Sequence, residues 1–252
     1  MLDKFLENDY NEFYETVSIF YNFLYFSKGE RSKAMNKVID IQQAVNMIPD
    51  GSVIMFGGFM GNGSAHKIID ALVEKNIKDI TIICNDAGFQ DFGVGKLVVN
   101  KQCKKVIASH IGLNKEMGRQ MSAGETEVDL VPQGTLVERI RAHGYGLGGI
   151  LTRTGFGTLI EEGKQKIEVD GTTYLLEKPL KADFAIIFGS TVDKQGNIAY
   201  KGSVNNFNHV MSSAADVTIV EAEDLVEVGE LHQNSVMTPG VFVNYIVDGG
   251  AS

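Results

Sequence analysis

The stretch DGSVIMFGGFMGNGSA, residues 50–65, decides the fold. After an Asp-Gly turn, a continuous apolar run from Val53 to Phe56 is typical of a strand buried in a parallel sheet. A glycine-rich segment, Gly57 to Gly63, comes next, and Ser64 is the expected N-cap of a helix over Ala65 to Lys75. This order predicts a ligand-binding loop at the carboxyl end of a strand, where free N–H groups of the helix start favour an anion.

Apolar runs and amphipathic segments alternate along the chain on both sides of this unit. We predict further strands at 80–84, 105–109, 127–131, 184–188, 217–222 and 242–247. Helices are predicted at 39–47, 94–100, 117–123, 134–143 and ending at 211–215, and a hairpin at 166–176 turns at Asp170-Gly171. The alternation predicts an α/β fold: an open, mainly parallel sheet with flanking helices, in one domain from Met35 to Asp248.

Composition excludes several classes of function. The 252 residues carry a net charge of -9, which argues against nucleic acid and anionic membrane surfaces as partners. No apolar run reaches the length of a membrane span, and Cys84 and Cys103 do not form a CxxC pair. The five histidines show no paired metal-ligand spacing. These observations predict a cytoplasmic protein without a metal site.

Residues 1–34 differ from the rest of the chain. They hold nine of the 22 Phe and Tyr residues, and their acidic start does not fit a secretory signal. One interpretation is a docked amphipathic helix. The other is that translation properly begins at Met35 and that this N-terminal extension is upstream sequence translated by mistake.

Several motifs together resemble the A subunits of the family I coenzyme A transferases. The Asp-Gly pair, the apolar strand and Gly57-Gly58-Phe59 match the first signature of that family, although Ala65 and Arg153 stand where the family has proline. The likeness covers nearly all of residues 35–248 and includes Asn85-Asp86-Ala87, residues 107–112, Pro132-Gln133-Gly134, residues 154–158, Asn206-Phe207-Asn208, Glu221-Ala222-Glu223 and Thr238-Pro239-Gly240.

The resemblance implies an enzyme of short-chain fatty acid metabolism. It is strongest to A subunits that handle butyrate, acetate and acetoacetate, with coenzyme A as a substrate and not as a permanent cofactor. In this family a glutamate of the B subunit, in a Ser-Glu-Asn-Gly setting, attacks the thioester and carries a glutamyl-CoA intermediate. That tetrapeptide is absent from this sequence. The resemblance therefore implies an A2B2 heterotetramer with its nucleophile on the partner subunit.

The resemblance also assigns roles to particular residues. It implies that the CoA-binding loop consists of Gly57, Gly58, Phe59, Met60, Gly61, Asn62 and Gly63. Gln133 matches a family position whose amide contacts the substrate carboxylate and the developing oxyanion, a role that suits a side-chain N–H donor. We interpret Glu221 and Glu223, which follow an apolar strand, as structural.

Other functions fit parts of the same pattern. A transferase of the same family for succinate or 3-oxoadipate would share the motifs, and a ligand-sensing module would share the fold. A sugar-phosphate isomerase is disfavoured because no suitable Asp, His and Lys cluster is apparent. The GxGxxG match at 144–149 follows a predicted helix, whereas a dinucleotide fingerprint follows a strand.

Overall fold

The computed structural model describes residues 36–250. The predicted N-terminal extension, and with it both interpretations of residues 1–34, lies outside this range. In the part of the chain that is described, no helix combines the length and the apolar character needed to cross a membrane.

A nine-stranded sheet forms the centre of the described chain. Its strands are β1 Val38–Ile39, β2 Val53–Phe56, β3 Ile80–Asp86, β4 Cys103–His110, β5 Glu127–Leu130, β9 Ala182–Asp193, β10 Ile198–Ala199, β11 Ala215–Val226 and β12 Tyr245–Asp248. The order across the sheet is β1-β12-β11-β9-β2-β3-β4-β5, and every neighbouring pair in this series is parallel. Only the short β10 is antiparallel, on β9. The predicted open, mainly parallel sheet is confirmed.

Within residues 36–250, six α-helices flank the sheet: α1 Ile41–Asn46, α2 His66–Lys75, α3 Gly95–Val99, α4 Lys115–Ser122, α5 Gln133–Gly144 and α6 Asn208–Met211. Successive residues of a strand point to opposite faces, so Ile54 and Phe56 join one buried cluster while Met55 joins the other. Because packed side chains cover both faces of the sheet at β2, this strand is apolar without alternation.

A separate antiparallel sheet consists of three strands, β6 Ile150–Thr152, β7 Lys166–Val169 and β8 Thr172–Glu177. Their order across this sheet is β6-β8-β7. The turn between β7 and β8 places Asp170 at φ 48° and Gly171 at φ 71°. Two consecutive residues with positive φ make the tight hairpin that an Asp-Gly pair favours, so this prediction is confirmed.

Four strands are longer than predicted: β3 and β4 slightly, and β9 and β11 by several residues at their carboxyl ends. β9 and β11 pair in parallel from Ala182 beside Ala215 to Asp193 beside Val226, well beyond the predicted 184–188 and 217–222. Their carboxyl halves contain Gly, Ser, Thr, Glu and Asp, which are typical of loops in isolation. Pairing between the two strands outweighs that local preference. The buried Ser190, Asp193 and Glu221 side chains each accept a hydrogen bond from a backbone N–H group, which offsets the cost of burying them.

Three predicted boundaries were wrong. Ile39 lies in β1, and Asp40 then caps α1, its carboxylate accepting a hydrogen bond from the Gln43 N–H at 2.7 Å. A 3-10 turn at Gly240–Phe242 precedes the last strand, which spans Tyr245–Asp248 instead of 242–247. The helix predicted to end at 211–215 is α6, which ends at Met211.

Candidate active site

The glycine-rich segment lies where the strand order reverses. β2 sits beside β9, with β3, β4 and β5 on one side and β11, β12 and β1 on the other. The Gly57 N–H donates to the Ile186 carbonyl of β9 at 3.0 Å, and the chain then leaves the sheet. In open α/β sheets, ligands bind at the carboxyl ends of strands beside such a reversal. Residues 57–63, called the first loop below, occupy that position.

The first loop is a minimal hairpin. Phe59 and Asn62 exchange both backbone hydrogen bonds, at 3.0 Å and 2.9 Å, around Met60 at φ 51° and Gly61 at φ 81°. Gly57 is needed for a different reason, because a Cβ there would lie 1.8 Å from the Asn208 Oδ1 atom. The glycines therefore permit a turn of positive φ and a close contact with a buried side chain.

The Asn208 side chain bonds to backbone groups at the point where β2 ends and no longer pairs with β9. Its Oδ1 accepts from the Phe188 N–H at 2.9 Å, and its Nδ2 donates to the Gly63 carbonyl at 2.8 Å. A further bond from Nδ2 reaches the Val204 carbonyl at 2.8 Å. This fully buried amide thus pairs backbone groups of β9 and the first loop that would otherwise lose their partners.

Asn206 also binds the first loop through its side-chain amide. Its Oδ1 accepts from the Gly58 N–H at 3.1 Å, and its Nδ2 donates to the Asn62 carbonyl at 3.1 Å. The Asn62 amide in turn donates to the Ser203 hydroxyl at 2.9 Å. Sequence reasoning assigned no role to Asn206 and Asn208 beyond their place in a shared motif. Both act across about 145 residues of chain, so no local pattern reveals their partners.

The predicted N-cap at Ser64 was wrong. The Ser64 hydroxyl donates to the Gly57 carbonyl at 3.3 Å, and Ala65 precedes α2 without a side-chain cap. The buried Glu221 of β11 caps the start of α2 instead, because its carboxylate accepts a hydrogen bond from the Ile68 N–H at 2.8 Å. Burial raises the pKa of Glu221, and the hydrogen bonds to the helix backbone oppose that rise. The start of α2 therefore already holds a carboxylate, contrary to the expected free anion site.

Gln133 is the first residue of α5, just past the carboxyl end of β5. Its Nε2 donates to the Asn85 Oδ1 atom at 2.7 Å, and the same oxygen accepts from the Ser109 hydroxyl at 3.0 Å. Asn85 is buried and Gln133 is exposed. Because an amide nitrogen carries two N–H groups, Asn85 can orient the side chain while the second N–H points to a ligand.

A cavity of about 430 Å³ brings Gln133 and the first loop together. Its lining consists of Phe59, Asn85, Gln133, Gly134, Val137, Ser203, Asn206 and Phe207. Gly57, Gly58 and Gly61 line a separate narrow cleft beside Asp86, and Met60 is exposed at the tip of the loop. Two parts of the predicted site, distant in sequence, therefore meet at one cavity.

Other candidate groups have structural surroundings. Glu223 pairs with Lys201 at 3.4 Å, and neither Glu221 nor Glu223 lines the 430 Å³ cavity. Burial raises the pKa of the Cys103 thiol to about 12, and burial likewise raises the pKa of Cys84. Residues 144–149 connect α5 to β6, the reverse of the order in a dinucleotide fingerprint. Between residues 36 and 250, no three potential ligand side chains are grouped as a metal site.

The sequence matches the family described as Coenzyme A transferase over residues 38–249. It is 54% identical over 212 residues to the acetoacetyl-CoA:acetate/butyrate CoA transferase alpha subunit of Clostridium acetobutylicum, covering 84% of this chain and 97% of that subunit. Identity to the acetate CoA-transferase subunit alpha of Escherichia coli K12 is 50% over 211 residues, covering 84% and 96% of the two chains.

Solved structures share the fold at lower identity. An acyl-CoA transferase from Escherichia coli O157:H7, in a thioester complex with CoA, superposes with a TM-score of 0.77 at 23% identity. That match covers 88% of this chain, which spans about half (48%) of the solved one. The glutaconate coenzyme A-transferase of Acidaminococcus fermentans has a TM-score of 0.76 at 18% identity, covering 84% and 75% of the two chains. Sequence and fold agree, and the chain belongs to the coenzyme A transferase family.

Proposed function

We propose that this chain is the A subunit of a cytoplasmic, two-subunit transferase. The enzyme moves CoA between a short-chain acyl-CoA, such as butyryl-, acetyl- or acetoacetyl-CoA, and a carboxylic acid. The observation that carries the proposal is the shared cavity, in which Phe59 of the first loop and Gln133 line one space at the carboxyl edge of the sheet. The alpha-subunit names of the relatives from C. acetobutylicum and E. coli K12 support the division into two subunits.

The proposed reaction needs a nucleophile that this chain does not supply. A glutamate carboxylate of the B subunit forms a bond to the thioester carbonyl carbon, and the C–S bond breaks to release CoA as thiolate. The thiolate then attacks the glutamyl carbonyl of the resulting anhydride, which forms glutamyl-CoA and frees the first acid. An incoming carboxylate reverses these steps and leaves as the new acyl-CoA.

In this scheme Gln133 acts on developing negative charge. Each attack on a carbonyl carbon converts its oxygen into an oxyanion, which a fixed N–H donor stabilises more strongly in the transition state than in the ground state. The hydrogen bond to buried Asn85 fixes the Gln133 amide before substrate arrives. The first loop, whose turn places backbone close to the cavity, is proposed to bind CoA through residues 57–63.

The cavity lining favours an acid with a single carboxylate and a short apolar chain. Phe59, Val137 and Phe207 provide apolar surface, and the polar groups that line it are neutral. Within the described chain no Lys or Arg lines this cavity, so it offers no cation for a second carboxylate. This argues for butyrate, acetate or acetoacetate over succinate and 3-oxoadipate.

The test is reconstitution. The purified chain alone should exchange no CoA between butyryl-CoA and acetate, because the attacking carboxylate is missing. Adding a B-type subunit that carries Ser-Glu-Asn-Gly should restore exchange and give a complex with the mass of A2B2. Hydroxylamine trapping after incubation with butyryl-CoA should then modify a glutamate of the B subunit.

Three results would contradict the proposal. Exchange of CoA by the purified chain alone, or hydroxylamine modification of Glu221 or Glu223, would show that the nucleophile lies in this chain and not in the B subunit. Equal rates of exchange with succinate and acetate would show that the uncharged cavity lining does not select acids with a single carboxylate. Tight ligand binding without turnover, in the presence of the B-type subunit, would support the ligand-sensing alternative instead.

A further inference from the structure

Asp86 connects two loops through one carboxylate. It is the last residue of β3 and is only 5% exposed. Its Oδ2 accepts from the Met60 N–H of the first loop at 2.8 Å, and its Oδ1 accepts from the Gly88 N–H at 2.9 Å. Gly88 belongs to residues 87–94, called the second loop here, which follow β3 and lead into α3.

Met60 needs an external restraint. Its φ of 51° lies in the left-handed region, which a residue with a Cβ atom adopts only at an energetic cost. The Met60 side chain is 43% exposed, so burial in the core does not hold the residue in place. The two Phe59–Asn62 backbone bonds close the turn around Met60, and the Met60 N–H itself donates to the buried Asp86 carboxylate at 2.8 Å. The bond to Asp86 therefore restrains Met60 from outside the first loop, and bonds to carboxylate acceptors are among the stronger ones.

The two loops have related shapes and pack together. Phe89 and Phe92 close the second loop as Phe59 and Asn62 close the first. The Phe92 ring lies 4.2 Å from the His66 ring between centroids, and a Cβ on Gly61 would be 2.2 Å from a Phe92 carbon. Because the loops touch, the position of one limits the position of the other, and Asp86 binds both.

We propose that Asp86 is a positioning residue for CoA binding. Its carboxylate holds Met60 in the left-handed conformation and thereby fixes the tip of the first loop against the second. This inference rests on the proposed role of residues 57–63 in binding CoA. An asparagine cannot replace it, because one of the two backbone N–H groups would face the amide NH2 instead of an oxygen.

The test is a double-mutant cycle in the assembled A2B2 enzyme. Asp86→Asn should raise the KM for butyryl-CoA about tenfold, the scale of one lost charge-assisted hydrogen bond, with kcat little changed. Glycine adopts positive φ without the Cβ penalty, so Met60→Gly removes the conformation that Asp86 must enforce. The effect of Asp86→Asn on KM should therefore be several-fold smaller in the Met60→Gly background.

The controls separate this inference from the proposed function. Asp91→Asn removes the same charge from an exposed position on the second loop and should leave KM unchanged. Gly61→Val obstructs the first loop and should raise the KM for butyryl-CoA. A raised KM in Gly61→Val with a normal KM in Asp86→Asn would overturn only the role of Asp86. A normal KM in a folded Gly61→Val enzyme would overturn the CoA role of the loop and this inference with it.

Two further results would also overturn the inference. If Asp86→Asn raised KM equally in the wild-type chain and in the Met60→Gly background, Asp86 would not act through the conformation of Met60. A lower melting temperature with unchanged KM would show that Asp86 serves only the stability of the fold.

Discussion

Replacing Gln133 with alanine separates chemistry from folding. The variant removes the amide that we place at the developing oxyanion, and the loss of one such donor lowers kcat by about 10²- to 10³-fold. The cost in stability should be small, because the Asn85 Oδ1 atom keeps its bond from Ser109 and Gln133 is exposed. One net hydrogen bond contributes about 0.5 to 1.5 kcal/mol, which corresponds to a few degrees in Tm.

The assay is steady-state exchange between butyryl-CoA and acetate by the A2B2 enzyme, with thermal unfolding of the same preparation. Gln133→Glu is the sharper variant, because it keeps the shape but sets a carboxylate against both Asn85 Oδ1 and the substrate acid. Ser109→Ala perturbs Asn85 without removing the Gln133 amide and serves as the control, with a stability change and near-normal kcat. An unchanged kcat in assembled Gln133→Ala would refute the catalytic role of this side chain.

Three other variants test the site and its support. Val137→Leu should narrow the cavity and lower kcat/KM for butyrate relative to acetate by about tenfold, the effect of one methylene group in a tight pocket. Equal losses of kcat/KM for both acids would show that Val137 does not limit the length of the acyl chain. Asn208→Ala leaves three backbone groups unpaired and should lower the free energy of unfolding, measured in urea, by about 3 to 5 kcal/mol. The control is Asn205→Ala, which changes a neighbouring partly buried side chain and should lower this free energy far less. Burial raises the pKa of Glu221 above 4.5, so the folded chain keeps this proton to higher pH than the unfolded chain does. The free energy of unfolding should therefore fall as pH rises through the interval just above 4.5, and Glu221→Gln, which can still accept from Ile68, should flatten that slope; an identical slope in both proteins would contradict it.

The sequence predicted the features that depend on short stretches of chain. The apolar run at Val53–Phe56 is a strand because both faces of the sheet are covered, and Asp170-Gly171 turns a hairpin because both residues take positive φ. The alternation of such elements was enough to predict the class of fold. The resemblance added Gln133 and residues 57–63, and the structure brings Gln133 and Phe59 to one cavity.

What the sequence could not predict depends on strand order. Asn208 bonds to β9 and to the first loop only because β2 lies beside β9, a neighbour distant along the chain. Ser64 has the residue type and spacing of a helix cap, yet Glu221 supplies the cap from β11. Asp86 belongs to the Asn85-Asp86-Ala87 motif, and its two backbone partners appear only once both loops are folded.

The pairing of β1 with β12 has a consequence for how the chain is made. Val38 and Ile39 lie beside Ile246 and Val247, and the Lys37 ammonium also donates to the Gly240 and Val243 carbonyls at 2.7 Å. During synthesis from the amino end, β1 must wait for β12, which is the last of the described strands to emerge, and closing so long a segment slows folding. Until then the outer edge of β11 stays open to other strands. A ribosome that stopped before Tyr245 would therefore release a chain lacking two strands of its sheet, one never made and one left without a neighbour.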